Sequence, residues 1–470
     1  MSRRSLLHGA GGLVVAGSAG VISSGIAAAT VDPKAWDGLR RRLQGALVLS
    51  GEPDYGSAKK LFDSRFDGNA PVGVVRVAVP EDVRVAVTFA RDHGLPIAAR
   101  SGGHSFVGAS ATTGALVVDV RALDGVTVDA DRVTVGAGIT TFAAQSELSR
   151  SGLALPTGTC HSLGLVGLTL GGGLGVDARR YGMTCDRLVA ADLVLPNGDP
   201  MRASATEAPE VFWMLRGAGG ATGIVTSLTY RAIPATSKDV VRLTFPGDRA
   251  ARVLTGWAQW MPAADRAVYA RVDIVAADGI RCEVLIVCPA GAGARTAAEL
   301  IAAAATTPTA QDERTLSHLD AMRDIGRDKP TPGMTRVAGA DVVEHLSPAV
   351  ADVIVDAITD RSRVGASGLV SIEPIDGAIR DTAPGATAFP WRSHAAAVEW
   401  IVRTPDPPAE AHRWIGSANR ALGPHSAGGY LNHVQPGDTV DRCFAHNRAQ
   451  VQIMRRALDP ERRLRWGIDV

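Results

Sequence analysis

Apolar residues recur along the chain in two periods, and the way these alternate divides it into regions. Between residues 70 and 235, β-branched runs at 74–79, 95–99, 116–120, 188–195 and 224–231 read as buried strands. After Pro80-Glu81-Asp82 the period lengthens: Val83, Ala86, Val87 and Ala90 share one helical face, and Gly94 closes the helix. Residues 126–128 and 133–135 alternate about Asp129-Ala130-Asp131, which predicts a hairpin, and 140–150 predict a short helix ended by Gly152. A helical patch is expected over 36–49. From about 237 to 429 the texture changes. Alternating strands such as 239–245 and 268–275 come with Ala-rich helices such as 293–305, as expected of a sheet covered by helices. The last forty or so residues carry Gly428-Gly429-Tyr430-Leu431-Asn432, a helix expected over 442–458, and Asp459-Pro460.

The first residues follow neither period. Ser2-Arg3-Arg4-Ser5-Leu6-Leu7 precedes a weakly apolar stretch rich in Gly, Ala and Val, then Ala27-Ala28-Ala29. This pattern predicts a twin-arginine export signal over 1–29 with a small-residue cleavage site, rather than a membrane span. The mature protein is then expected outside the cytoplasm, secreted or periplasmic. Composition changes little in this picture. The 46% hydrophobic and 21% charged residues are ordinary for a globular protein, and a net charge of +1 gives no electrostatic case for nucleic acid or an anionic membrane. Five cysteines occur, and Cys282 and Cys288 stand roughly 20 Å apart on one expected strand, too far to bridge. A disulfide framework is therefore not the design, and one cysteine is left for chemistry.

Three glycine-rich segments carry that chemistry. Arg100-Ser101-Gly102-Gly103-His104-Ser105 follows a strand directly, so backbone N–H groups can converge on an anion while Arg100 and the serines add donors. Residues 158–175 interleave Gly158, Gly164, Gly167, Gly171, Gly172, Gly173 and Gly175 with small apolar residues, so backbone can lie flat against a rigid planar ligand. Arg216-Gly217-Ala218-Gly219-Gly220-Ala221-Thr222-Gly223 feeds the strand that starts at Ile224 and Val225. Residues 173–178 also satisfy G-x-G-x-x-A, a dinucleotide fingerprint that needs a preceding strand inside a βαβ unit. The tail histidines His425, His433 and His446, with Cys443, have no familiar metal spacing and read as solvated loop residues, so no metal is expected.

In order and content these segments resemble the flavin lobe of the vanillyl-alcohol-oxidase superfamily, in its berberine-bridge-enzyme-like branch. The resemblance covers most of residues 70–235 and the C-terminal Tyr-x-Asn and Asp-Pro segments. It implies an α+β, two-lobed fold: an FAD-binding lobe over 70–236 after a lead-in at 30–69, a substrate lobe of antiparallel sheet covered by helices over 237–429, and a segment at 430–470 returning to the first lobe. The implied cofactor is FAD, bonded through His104 and, as in the doubly linked subset, Cys160. Residues 100–105 would wrap its pyrophosphate. Thr159, Thr169, the glycines of 158–175, Gly223, Ile224, Val225 and Asn432 would line it. Ala221-Thr222 stands where relatives have Asn-Phe, and Trp391-Arg392 where many have His-Arg. Leu163 sits where relatives tune oxygen access, and its bulk resembles the poorly oxygen-reactive members.

Oxidation of an alcohol by flavin needs a hydride acceptor and a group that takes the hydroxyl proton. Tyr430 resembles the family's strand tyrosine facing the ring, with Glu373 and Glu399 as the alternatives from the substrate lobe. A tyrosine hydroxyl ordinarily titrates near pH ~10, so this role requires donors or positive charge around it. The expected partners are a small-molecule alcohol, sugar or secondary metabolite and an electron acceptor, oxygen among the candidates. The rival readings are an NAD-dependent dehydrogenase built on residues 173–178 and an exported flavin-fold binding protein without catalysis.

Overall fold

A computed structural model describes residues 31–326, 334–405 and 407–468; the twin-arginine segment lies outside the described residues. Two sheets of five strands make the first lobe. One runs Ala46–Leu49, Gly73–Arg76, Leu116–Asp119, Ile97–Arg100, Leu464–Arg465, parallel except for its first pair. The other is antiparallel and runs Val126–Asp129, Arg132–Gly136, Ile224–Arg231, Leu188–Val194, Pro200–Ser204. The helix Pro80–Asp92 is buried on both sides because it packs between them. Val83, Val85, Val87 and Phe89 meet Val75, Ile97 and Leu116 of the first sheet and Val133, Leu193 and Leu228 of the second in one core. Asp82 holds the chain entering this helix by accepting from the N–H groups of Gln44, Gly45 and Ala78 at 2.8–2.9 Å.

The second lobe is an antiparallel sheet of eight strands, from Ala310–Leu316 at one edge to Ser426–Gly428 at the other. Its strands follow the two-residue period. In Tyr269–Ala277, Ala270, Val272 and Ile274 enter a core shared with the helices Ala250–Trp260, Gly293–Ala304, Pro348–Arg363 and Ala409–Leu422. Tyr269, Arg271 and Asp273 point to the opposite face. Register continues that face through Asp273↔Ser371 and Ser371↔Glu399. A slip of one residue would bury these charges in the helix-covered core, so the register is strongly specified. The fold is the expected α+β architecture of two lobes.

Several local expectations are corrected. The helical patch over 36–49 is a helix, Pro33–Arg42, followed by the strand Ala46–Leu49, which pairs with Gly73–Arg76; the lead-in thus supplies a strand of the first lobe. The helix expected over 442–458 is broken into Val440–Phe444 and Arg448–Leu458, with Ala445 in the positive-φ region (φ 43) between them. Within residues 158–175, Leu165–Leu170 is helical. Tyr430 lies just past the short strand Ser426–Gly428 and directly before a helical turn, Leu431–His433. The G-x-G-x-x-A at 173–178 is preceded by that helix rather than a strand, so the dinucleotide reading has no βαβ unit to rest on.

Candidate functional site

The first two glycine segments meet backbone to backbone. A Cβ on Gly102 would lie 2.2 Å from the Gly164 nitrogen, and one on Gly164 would lie 2.3 Å from Ser101 Oγ, so only glycine permits the approach. Ser101 Oγ donates to the Ala137 carbonyl (2.7 Å), and Ser105 Oγ accepts from Ala109 N (3.1 Å), which pins both ends of the first loop. His104 is half-buried, stacked on Phe62 with ring centres 3.9 Å apart, and its Nε2 is 3.0 Å from Ser162 Oγ. Among the five cysteines only Cys160 is partly exposed; Cys185, Cys282, Cys288 and Cys443 are buried thiols. His104 and the Cys160 segment therefore share one surface.

Arg100 does not reach out from this loop. Its side chain is 1% exposed and pairs with Asp119 at 2.7 Å, while Arg121 takes the same carboxylate at 2.7 Å. Two guanidinium groups against one carboxylate leave a net positive charge beneath the loop, and Arg100 Nε and Nη1 are buried without a hydrogen-bond partner. Both features suit an anion bound above. Together with the glycine-only approach of the two loops, they fit a cofactor with a pyrophosphate and a flat ring.

The cradle continues through residues 171–175. Gly172 and Gly173 have φ of 120° and 90°, and a Cβ on Gly171 would fall 1.9 Å from Asn432 Oδ1. This turn aims two N–H groups at one atom. The Tyr430 hydroxyl oxygen accepts from Gly173 N (3.1 Å), from Leu174 N (3.3 Å) and from Asn432 Nδ2 (2.8 Å). Burial pushes the Tyr430 hydroxyl well above its ordinary value; the three donors pull the other way and Glu399 adds to the rise. Thr169 is buried with its hydroxyl 2.7 Å from Tyr230, so it supports the fold beneath the turn. Thr159 and Gly158 are half-buried beside the cysteine, and Gly223, Ile224 and Val225 are buried against Val194 and the second sheet.

Opposite this turn stands the polar face of the second sheet. Tyr269 Oη donates to Glu373 Oε1 (3.0 Å), Arg271 lies 3.8 Å from the same oxygen and 2.9 Å from Asp273, and His433 Nδ1 is 2.9 Å from Glu399 Oε1. Burial, reinforced by Glu399, pushes the Glu373 carboxyl up to about 7, against Arg271, Tyr269 and His433. The structure thus brings Tyr430, Glu373 and Glu399 to one region. It adds Tyr269, Arg271, Asp273 and His433, which sequence reasoning missed; the period-2 placement of Arg271 and Asp273 in an apolar strand was the available signal. His433 is not a solvated loop histidine, because its ring packs near Tyr430 and Phe106. Trp391 donates to the Gly429 carbonyl (3.0 Å) within the second lobe, and Arg392 joins the lobes by gripping both oxygens of Asp186 at 2.7 and 2.8 Å.

A fold with glycine loops over a buried cation, facing a polar sheet, defines a two-lobed flavoprotein. Residues 71–204 match the family described as FAD binding domain. An uncharacterised FAD-linked oxidoreductase of Bacillus subtilis, YgaK, is 26% identical over 441 residues, covering 91% of this chain and 97% of the relative. Among solved structures, the xylooligosaccharide oxidase from Myceliophthora thermophila, solved with xylobiose, superposes with a TM-score of 0.83 at 22% identity, covering 92% of this chain and 98% of that one. A glucooligosaccharide oxidase from Acremonium strictum, described as revealing a novel flavinylation, gives 0.83 at 20% identity over 91% and 96%. The chain is thus an FAD-linked oxidoreductase, with an FAD binding domain in its first lobe and the fold of these oligosaccharide oxidases over nine-tenths of its length.

Proposed function

We propose that this oxidoreductase takes two electrons from a hydroxyl-bearing small molecule (an alcohol, sugar or secondary metabolite) bound between the 171–175 turn and the polar face of the second sheet. FAD supplies the hydride acceptor when bound on residues 100–105, 158–175 and 223–225, with His104 and Cys160 as its attachment points. Tyr430 is the group that takes the hydroxyl proton. The observation that carries this reading is the convergence of Gly173 N, Leu174 N and Asn432 Nδ2 on its oxygen, three donors that oppose the rise burial imposes on its hydroxyl. Arg271, Asp273, Glu399 and His433 offer donors and acceptors to orient a polar substrate. The superposition on carbohydrate oxidases supports a polyhydroxylated one.

A second reading of the base rests on Glu373. A carboxyl held up to about 7 can accept a proton near neutrality. Export by the twin-arginine route belongs to the same proposal, since a cofactor bonded before export cannot be lost outside the cytoplasm. Stopped-flow reduction against a panel of sugars, alcohols and phenolic metabolites tests the whole. Tyr430→Phe is expected to keep its flavin and slow reduction about 100- to 10,000-fold. Unchanged reduction in that variant moves the base to Glu373. Comparing reoxidation by air with an artificial acceptor separates oxidase from dehydrogenase chemistry; the half-buried Leu163 favours the latter.

A further inference from the structure

The segment that carries Cys160 is gripped from both lobes. From the first lobe, Thr141 Oγ1 donates to the Cys160 carbonyl (2.6 Å), and Thr141 N donates to the Leu163 carbonyl (2.8 Å). From the second lobe comes the helix His318–Ile325. Its Met322 carbonyl lies 3.0 Å from His161 Nε2, which must donate because a carbonyl only accepts. The His161 ring is held from the other side by Phe142, with centres 4.3 Å apart. Gly326, just past the helix, touches both neighbours of the cysteine: a Cβ there would sit 2.3 Å from the Thr159 carbonyl oxygen and 2.3 Å from His161 Nε2. At the other end of the helix, His318 Nε2 is 3.3 Å from Gln145 Oε1, whose amide donates to the Leu155 carbonyl and Thr157 Oγ1 at 2.7 and 2.9 Å. The loop of His104, by contrast, is held by Ala137, Asp119 and Phe62 of the first lobe, and it meets the cysteine segment at Ser162 (3.0 Å) rather than the helix His318–Ile325.

We infer that helix His318–Ile325 is the positioning element for attachment at Cys160, acting through His161 and Gly326, so that the second lobe must dock before that bond forms while the His104 bond does not depend on it. The inference rests on Cys160 being an attachment point. Attachment forms one S–C bond as the thiol S–H and a ring C–H break. The two protons and two electrons leave through the ring to dioxygen, which becomes hydrogen peroxide. Such a bond needs the sulfur held over one ring carbon. Misplacing a reacting atom by about 1 Å costs up to about 100-fold in rate.

The test is peptide mass spectrometry of full-length protein, counting flavin at residues 104 and 160 separately. His161→Ala is expected to lower the Cys160-linked fraction at least about tenfold with the His104-linked fraction unchanged. His161→Gln, whose amide can still donate to the Met322 carbonyl, should recover most of it. Gly326→Ala, which pushes the helix off the loop, should act like His161→Ala. Equal linkage at both positions in His161→Ala and Gly326→Ala overturns the inference. So does a parallel fall at both positions, the mark of general loss of fold. Wild-type protein linked at His104 but never at Cys160 overturns the Cys160 assignment itself.

Discussion

His104 Nε2 and Ser162 Oγ stand 3.0 Å apart, so two loops separated by 58 residues in sequence meet at one point. Cys160 is two residues from that contact. The two proposed attachment points therefore lie on neighbouring segments, and if both bond one flavin, acid-precipitated wild-type protein should keep its yellow colour in the pellet. His104→Ala and Cys160→Ala should each retain linked flavin, and the double variant should release all of it. Colour in the wild-type supernatant would falsify covalent attachment.

Gly164 is the position where the two loops leave no room. A methyl group there would meet Ser101 Oγ at 2.3 Å and Gly102 N at 2.5 Å, and the backbone atom cannot swing aside. Gly164→Ala should force the loops apart at a cost of about 1–3 kcal/mol and strip most of the bound FAD. The flavin-to-protein absorbance ratio reads the loss, and far-ultraviolet circular dichroism should remain that of the wild type. A full complement of FAD in this variant would argue against the cradle.

Glu373 sets a pH dependence. Its carboxyl is raised from 4.5 to about 7, first by burial and then by Glu399, so between those values the folded protein binds more protons than the unfolded chain. Stability from this group is complete below about pH 4.5 and is lost as pH rises through about 7. The melting temperature of wild type should therefore fall from pH 5 to 7 relative to Glu373→Gln, by on the order of a few degrees. Parallel pH profiles for the two proteins would refute the shift. If Glu373 is also the base, the limb near pH 7 in kcat/KM disappears in the same variant.

Arg392 and Asp186 tie the lobes with side chains 1% and 9% exposed. Removing the guanidinium leaves a buried carboxylate whose remaining contacts include the Met183 N–H at 2.9 Å. Arg392→Ala should cost about 3–5 kcal/mol in urea unfolding, and adding Asp186→Asn should cost less than the sum of the two single changes. An Arg392→Ala protein as stable as wild type would mean that the lobes are held without this pair.

Much of the first lobe was legible because its signals are local. The run at 116–120 and the helix beginning at Pro80 appear within a residue or two of expectation, since strand period, helix period and capping act over a few positions. The errors came where a neighbour decides. Residues 46–49 lie beside a helix in sequence, yet they pair with Gly73–Arg76, and the helix expected through 445 breaks where Ala445 takes a positive φ. The same division runs through the site.

By itself the sequence determined the glycine loops and the change of texture between two regions, because steric demands at glycine and the period of apolar residues are written residue by residue. The candidate roles of His104, Cys160 and Tyr430 and the α+β class came from the resemblance those motifs carry. Only the tertiary structure decided that Arg100 lies under its loop against Asp119, that Tyr269 and His433 join Glu373 and Glu399, and that His161 is clasped by a helix from the other lobe. These contacts join strands through register and lobes through docking. They join residues from 19 to 161 positions apart in sequence, which no pattern of a few positions carries.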